Sequence, residues 1–385
     1  MRRSVFTEDH EAFRATVRDF IACEVAPRYA GWEKAGQVPR DLYLKLGEIG
    51  ALGIEAPEEY GGSGLRTFRY QAVVVEECAR AGVSFGTAGV HVGIVIPYLL
   101  QLGTEEQKKR WLPGCVSGET WTALAMTEPG TGSDLAGIST TARLSGDGGH
   151  YILNGAKTFI TGGVHADLVI VVCRTSPPSA SDRHSGMSLL CVDAASEGYA
   201  VGRRLDKIGL KCSDTAELSF TDVLVPSDNL LVEQGRAFEH LRHNLVRERL
   251  SIAVDATAKA AAAIEFTLGY VTERKAFGKA LAEFQNTKFV LAECAAEVEA
   301  ARAMTDRAML LDETGELTSA DAAKAKLFCT EVCGRVVDKC LQLHGGYGYM
   351  LEYPIARLFA DVRVNRIYGG TNEIQKTVIA KDLGL

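Results

Sequence analysis

The chain of 385 residues contains no cysteine pair spaced as CxxC, no apolar run long enough to cross a bilayer, and no excess of positive charge. Each of these absences closes off a class of function. Ten cysteines are scattered, most of them in apolar settings such as LLCVD and VVCRT, which suits reduced, buried thiols rather than a disulfide framework. Cys329 and Cys333 share a helix face, but no histidine or carboxylate clusters with them, so they are read as core packing and no metal site is expected. The longest strongly apolar run, LVIVVC at 168 to 173, is far short of the roughly 18 residues that a membrane span needs. A formal net charge of -7 leaves no electrostatic footprint for nucleic acid. Also lacking is a strand followed by GxGxxG and a helix. GGSGLR at 61 to 66 has only part of that fingerprint and follows no strand, which argues against an alternating dinucleotide fold. The N-terminus, MRRSVFTEDHEAFRATVRDFIACEV, turns acidic and amphipathic where a signal peptide would turn apolar, so the first helix of a cytoplasmic protein is expected there.

What is present changes character twice along the chain. From residue 7 to about 118 apolar residues recur at helical spacing, and breakers such as Pro57, Gly61, Gly62 and Gly64 separate the segments. GTEEQKKRWLP at 103 to 113 offers Thr104 as an N-cap, Gln107 as its capping-box partner and Pro113 as a stop. From about 119 to 230 the period falls to two, in HYILNGAKTFITGG, DLVIVVCRTS, GMSLLCVDA and AELSFTDVLVP, with Asp147-Gly148 as a hairpin turn. From about 231 the helices return and lengthen, and alanine-rich faces such as DATAKAAAAIE suit a closely packed bundle. The expected fold is α+β. It has an N-terminal helical domain (1–118), a middle β-barrel or sandwich domain (119–230) and a C-terminal helical bundle (231–385).

Five stretches carry chemical signals. ALAMTEPGTGSD at 123 to 134 follows a strand and ends in a Gly-rich loop bearing Thr127, Thr131 and Ser133, which offers backbone N–H groups and hydroxyls to a planar polar ligand. NGAKTFITGG at 154 to 163 adds Phe159 and Thr161, an aromatic face beside a hydroxyl. RKAFGKALAEFQ at 274 to 285 sets Arg274, Phe277 and Gln285 ahead of LQLHGGYGYMLEYPIARLFAD at 341 to 361. Finally, RIYGGTNEI at 366 to 374 puts two adjacent glycines among helices, where each costs roughly 1 kcal/mol relative to alanine. Such a position is either a plain turn between two helices or a place where something other than protein fits against the backbone.

Together these stretches resemble the acyl-CoA dehydrogenase family, over essentially the whole chain and in the family's order. GTEEQKKRWLP, AMTEPGTGSD, the RxxFG of RKAFG, LHGGYGY and YGGTNEI are jointly very specific. The resemblance implies a homotetramer, a dimer of dimers, with a four-helix C-terminal domain, binding FAD and an acyl-CoA thioester and passing electrons to an electron-transfer flavoprotein. By the same resemblance the loop bearing Leu124, Met126, Thr127, Gly132 and Ser133 hydrogen-bonds the flavin, and Phe159 and Thr161 cover the isoalloxazine. Phe159 stands where many relatives have Trp, keeping the apolar face without the N–H donor. Arg274, Phe277 and Gln285, with Gln342, Leu343, Gly345 and Gly346, would contact the FAD diphosphate and adenosine across a subunit boundary, and Thr371 and Glu373 would also hold FAD. Ser133, Arg249, Gly369 and Gly370 would line the acyl-CoA site.

Dehydrogenating a saturated thioester to a trans-2-enoyl-CoA needs a base for the α-proton, a flavin N5 for the β-hydride and hydrogen bonds on the thioester oxygen. Many family members place the base as a glutamate directly before the Gly-Thr of YEGT. Here that position is Gly369, so the acid must come from elsewhere or the chemistry is lost. LVRERLSIA at 245 to 253 supplies Glu248, with Arg249 beside it, at the opening of an apolar helix. This placement resembles the subgroup containing long-chain and isovaleryl-CoA dehydrogenases, and YGGTNEI with LHGGYGYMLEYPIA looks especially similar to the long-chain type. The plain alternative for Glu248 is a surface glutamate paired with Arg247 or Arg249. At the level of function the alternatives are a branched short-chain dehydrogenase, a catalytically silent acyl-CoA binder, or a monooxygenase on the same fold.

Overall fold

Glycine and proline breaks cut the first 117 residues into short helices, and the computed structural model, which describes residues 3–385, shows where each one ends. They are α1 (Glu8–Phe20), which continues through a π turn at Ile21–Val25, α2 (Tyr29–Ala35), α3 (Asp41–Glu48), α4 (Arg69–Ala81), α5 (Ala88–Val90), which runs unbroken through a π turn at His91–Val95 into α6 (Ile96–Leu102), and α7 (Glu105–Ser117). At the start of α7 the capping box forms as expected. Gln107 N donates to Thr104 Oγ1 at 3.2 Å and Thr104 N donates to Gln107 Oε1 at 2.9 Å. Pro113 does not stop this helix, which runs on to Ser117 and closes on Gly118 at φ 84°. Proline removes one backbone donor, but Leu112, Cys115 and Val116 on either side are buried, and that packing outweighs the lost bond.

The middle region is one hydrogen-bonded sheet. Its strands are β1 (Thr122–Ala125), β2 (Thr141–Leu144), β3 (His150–Thr161), β4 (Leu168–Arg174), β5 (Met187–Asp193), β6 (Tyr199–Arg204), β7 (Thr215–Pro226) and β8 (Leu230–Leu231). They lie in the order β6-β7-β3-β2-β4-β5-β8, with β1 parallel to β4. The Asp147-Gly148 turn joins β2 to β3, with Gly148 N donating to Ser145 O at 3.0 Å. The two halves of the sheet meet only where Thr141 pairs with Arg174, so the sheet curls around a shared interior. On β4, Val169, Val171 and Cys173 enter that interior with Leu153, Leu190, Leu218 and Phe220. The alternate residues Leu168, Ile170 and Val172 face the other way, onto Tyr98 and Leu99 of α6 and Leu112 of α7. Burial on both faces explains why this strand reads as a continuous apolar run.

The last third opens with α8 (Ala237–Glu273), 37 residues without a break. After a two-residue hairpin pair, β9 (Lys275–Ala276) and β10 (Lys279–Ala280), come α9 (Gln285–Glu313), α10 (Ser319–His344), α11 (Pro354–Val362) and α12 (Asn372–Asp382). Ala253, Ala256, Ala260 and Ala263 of α8 meet Cys329, Cys333, Val336 and Cys340 of α10 in one core, where small side chains let the helices approach closely. Eight of the ten cysteines are buried and all are free thiols. Ala237 and Leu241, at the start of α8, join the Tyr98 cluster, so the helix is clamped where the three regions meet. Among the described residues no helix is long and apolar enough to cross a membrane.

Candidate functional site

The loop after β1 is held from below by an ion pair. Lys157 Nζ lies 2.8 Å from Glu128 Oε1 and donates to Met126 O at 2.9 Å, and both charged side chains are buried. Burial opposes ionisation of Glu128, but hydrogen bonds from Lys157, Thr140 and Ser139 outweigh it and bring the carboxyl down to about 2. The loop is thereby fixed against β3, where Thr158 N also donates to Thr127 O at 2.9 Å. Leu124, Met126 and Thr127 are half-buried on its inner side, and Gly132 and Ser133 are exposed at its tip. The β3–β7 register shifts between Lys157 and Ile160, and there Phe159 turns outward at φ 60° with 67% of its surface exposed. An aromatic ring held outward on left-handed backbone needs a partner to repay the strain. Thr161, half-buried, ends the same strand.

A second surface lies on the C-terminal helices. A cleft of about 500 Å³ is lined by Arg274, Gln342, Leu343, Gly345 and Gly346, five of the residues expected around the cofactor, together with Tyr270, His344 and Tyr347. The Arg274 guanidinium sits 5.4 Å from the centre of the Tyr347 ring. His344 stacks on Tyr270 at 4.2 Å, and burial lowers its pKa, leaving a neutral ring whose Nδ1 is buried without a partner. Phe277 and Gln285 are not in the lining. Phe277 is 95% exposed in the β9–β10 hairpin and Gln285 is the exposed first residue of α9. His344 and Tyr347 stand within the LHGGYGY motif, but nothing local to Tyr270 sets it apart from a core aromatic.

The Gly369-Gly370 pair joins α11 to α12 through two successive left-handed residues, at φ 63° and 84°. Their carbonyls are tied inward: Gln375 Nε2 donates to Gly369 O at 3.2 Å and Gly370 O at 2.7 Å, and Lys326 Nζ donates to Gly370 O at 2.9 Å. Among the described residues no backbone hydrogen bond engages the Gly369 N–H. Thr371 caps α12, accepting from Ile374 N at 3.4 Å, and Glu373 is exposed in the first turn.

Glu248 lies three turns into α8, past its opening, and is only 8% exposed. It does not form the surface pair with Arg247, which turns to Glu55 and Asp312 instead. Burial raises its carboxyl to about 7, against the pull of Arg249 and of the Tyr98 hydroxyl, and its Oε1 has no partner. Arg249 is buried too, donating to Ser319 Oγ at 3.0 Å. The site therefore combines a buried carboxyl poised near neutrality with an unused backbone donor in the adjoining glycine loop.

Family models for the acyl-CoA dehydrogenase N-terminal, middle and C-terminal domains match residues 7–119, 123–223 and 235–384. The chain belongs to the acyl-CoA dehydrogenase family. It is 45% identical over 381 residues to the long-chain specific acyl-CoA dehydrogenase, mitochondrial, of Sus scrofa, covering 99% of this chain and 88% of that one. A crystal structure of acyl-CoA dehydrogenase from Geobacillus kaustophilus superposes with a TM-score of 0.96 at 47% identity, covering 100% of both chains. Acyl-CoA dehydrogenase complexed with FAD from Bacillus anthracis superposes at 0.91 with 35% identity, over 98% of this chain and 68% of that one.

As an acyl-CoA dehydrogenase the chain takes FAD as its cofactor, and its residues fit that group. Phe159 offers an exposed ring to a planar system beside a loop of backbone donors. The cleft, lined by the Arg274 guanidinium and by Gly345 and Gly346, would suit a diphosphate and its sugar. The protein is thus an oxidoreductase acting on acyl-CoA.

Proposed function

We propose that this acyl-CoA dehydrogenase forms the trans-2 double bond of a long-chain acyl-CoA, with Glu248 taking the α-proton. The observation that carries the reading is the buried carboxyl of Glu248, whose Oε1 has no hydrogen-bond partner, on a chain whose position 369 is glycine. With a pKa near 7, the carboxylate is available at neutral pH and still basic enough to accept a proton from carbon acidified by the thioester. The free Gly369 N–H is the donor for the thioester oxygen, where charge develops as the proton leaves, and Gly370 and Ser133 border the substrate. Arg249 keeps positive potential beside the carboxylate and moves no proton. FAD, when bound, supplies the acceptor for the β-hydride. The long-chain reading rests on likeness to the porcine enzyme.

An electron-transfer flavoprotein is the proposed electron acceptor and a homotetramer the proposed assembly. Phe277 in the β9–β10 hairpin and Tyr349 in the turn after α10, 95% and 85% exposed, are large apolar surfaces that a second copy would cover.

The test is anaerobic titration of the yellow holoenzyme with straight-chain and branched acyl-CoAs, followed by flavin absorbance. Long straight chains should bleach the flavin, and Glu248→Gln should stay folded and yellow without bleaching. Normal bleaching by that variant would end the assignment of Glu248, and preference for a branched short chain would end the long-chain reading.

A further inference from the structure

We propose that Tyr98, oriented by Asn244, is the positioning residue that sets the proton affinity of Glu248. Tyr98 comes from α6, has no exposed surface, and packs with Ala237 and Leu241 on the first turns of α8. Asn244 precedes Glu248 by one helical turn and so shares its face of α8. The Tyr98 hydroxyl faces both side chains. Tyr98 Oη, Asn244 Nδ2 and Glu248 Oε1 are all buried, and none meets a partner at ordinary hydrogen-bond distance and angle, although the hydroxyl is near enough to both side chains for each to act on it.

Three such atoms in one place would be a standing cost to the core unless they serve one another during function. The chemistry of the groups permits one order. An amide N–H only donates, an ionised carboxylate only accepts, and a phenol does both. Asn244 Nδ2–H therefore donates to Tyr98 Oη, and Tyr98 Oη–H donates to Glu248. Burial and the neighbouring carboxylate keep the phenol protonated, so it stays a donor at every working pH.

The hydrogen bond favours the ionised carboxylate and weakens once Glu248 is protonated. Arg249 acts in the same sense from the same helix, with Lys326 of α10 standing behind it as a like charge. Arg247 is neutralised by Glu55 and Asp312. Tyr98 is thus the uncharged group through which the acid is tuned without adding a second charge to an apolar site.

The experiment follows the carbonyl stretch of protonated Glu248 by infrared difference spectroscopy on the FAD-loaded enzyme against pH, with Glu248→Gln as the blank. Tyr98→Phe should raise the midpoint by about one pH unit, and Asn244→Leu by less. Replacing Tyr98 with 3-fluorotyrosine, which keeps the packing and strengthens the donor, should lower it. An unshifted midpoint in either folded Tyr98 variant overturns the proposal. The kinetic arm rests on Glu248 being the base: the acid limb of flavin reduction by acyl-CoA should move with the infrared midpoint. If the infrared midpoint moves and the kinetics do not, Tyr98 still tunes Glu248, and it is the base assignment that falls.

Discussion

Lys326 Nζ lies 2.9 Å from the carbonyl of Gly370, 44 residues further along the chain. The lysine is wholly buried on α10 and also holds Asn372 Oδ1 at 2.9 Å, so one cation ties the glycine loop to the first residue of α12. Burial and the nearby Arg249 lower its pKa to about 8, which leaves it largely charged at pH 7. Lys326→Met would remove this anchor while Gln375 still engages Gly370 O. The expected result is a loss of about 1 to 3 kcal/mol in thermal unfolding and a fall of at least about tenfold in flavin reduction, since the Gly369 N–H would no longer be held at the thioester. A variant that melts lower yet reduces its flavin at the native rate would show that the loop needs no anchor.

The Lys157–Glu128 pair has the same role under the flavin loop. Lys157→Met would leave Glu128 buried without its counter-charge, a change that costs about 3 to 5 kcal/mol where the pair is fully enclosed. The loop from Met126 to Ser133 would loosen first, so FAD content per protomer should drop before secondary structure is lost. The ratio of flavin to protein absorbance after gel filtration measures this directly. In the native protein the depressed pKa of Glu128 adds stability above the ordinary carboxylate range, and that stability disappears as pH falls toward about 2.

These two lysines also show where the sequence falls silent. Lys157 occupies an ordinary position of an alternating strand, and its partner is 29 residues away. Lys326, Tyr98 and Asn244 likewise acquire their surroundings only when α6, α8 and α10 pack. What was legible was local: the Thr104 capping box, the turn at Gly148, the change of period between regions, and the glycine-rich loops whose spacing matches a family. Glu248 could be selected because Gly369 has no side chain to act as a base, yet its depth in α8 could not be read. The apolar residues around it look the same for a helix start as for a place three turns in. Pro113 misled for the opposite reason, since a strong local breaker was overridden by burial on both sides.

Titration of Glu248 gives a prediction that needs no substrate. Its folded-state pKa, near 7, lies above the unfolded value near 4.3. The unfolded chain therefore ionises first as pH rises, and the contribution of Glu248 to stability is lost between those two values and stays lost above 7. Glu248→Gln removes the buried charge. The variant should melt like the native holoenzyme at pH 4 and above it at pH 8, by up to about 4 kcal/mol. Flavin reduction in the native enzyme should rise with pH through the same midpoint. Equal melting of the two proteins across this range would mean that Glu248 is not buried in its charged form.

Gly369 and Ile252 make the two possible positions of the base compete for one space. A Cβ built on Gly369 would fall on Ile252 Cδ1, and Ile252 stands one helical turn after Glu248 on α8. The backbone at φ 63° adds a penalty of roughly 1 to 2 kcal/mol for any residue with a side chain. Gly369→Glu in a Glu248→Gln background should therefore lower the melting temperature and leave flavin reduction below about 1% of native, because the new side chain meets Ile252 before it reaches the substrate. Shortening the obstacle with Ile252→Ala should return part of the activity, as the distal carbon is flexible and its removal opens the path. If the double variant recovers near-native reduction with Ile252 intact, the isoleucine gives way freely, and the position of the acid on α8 is not dictated by space at 369.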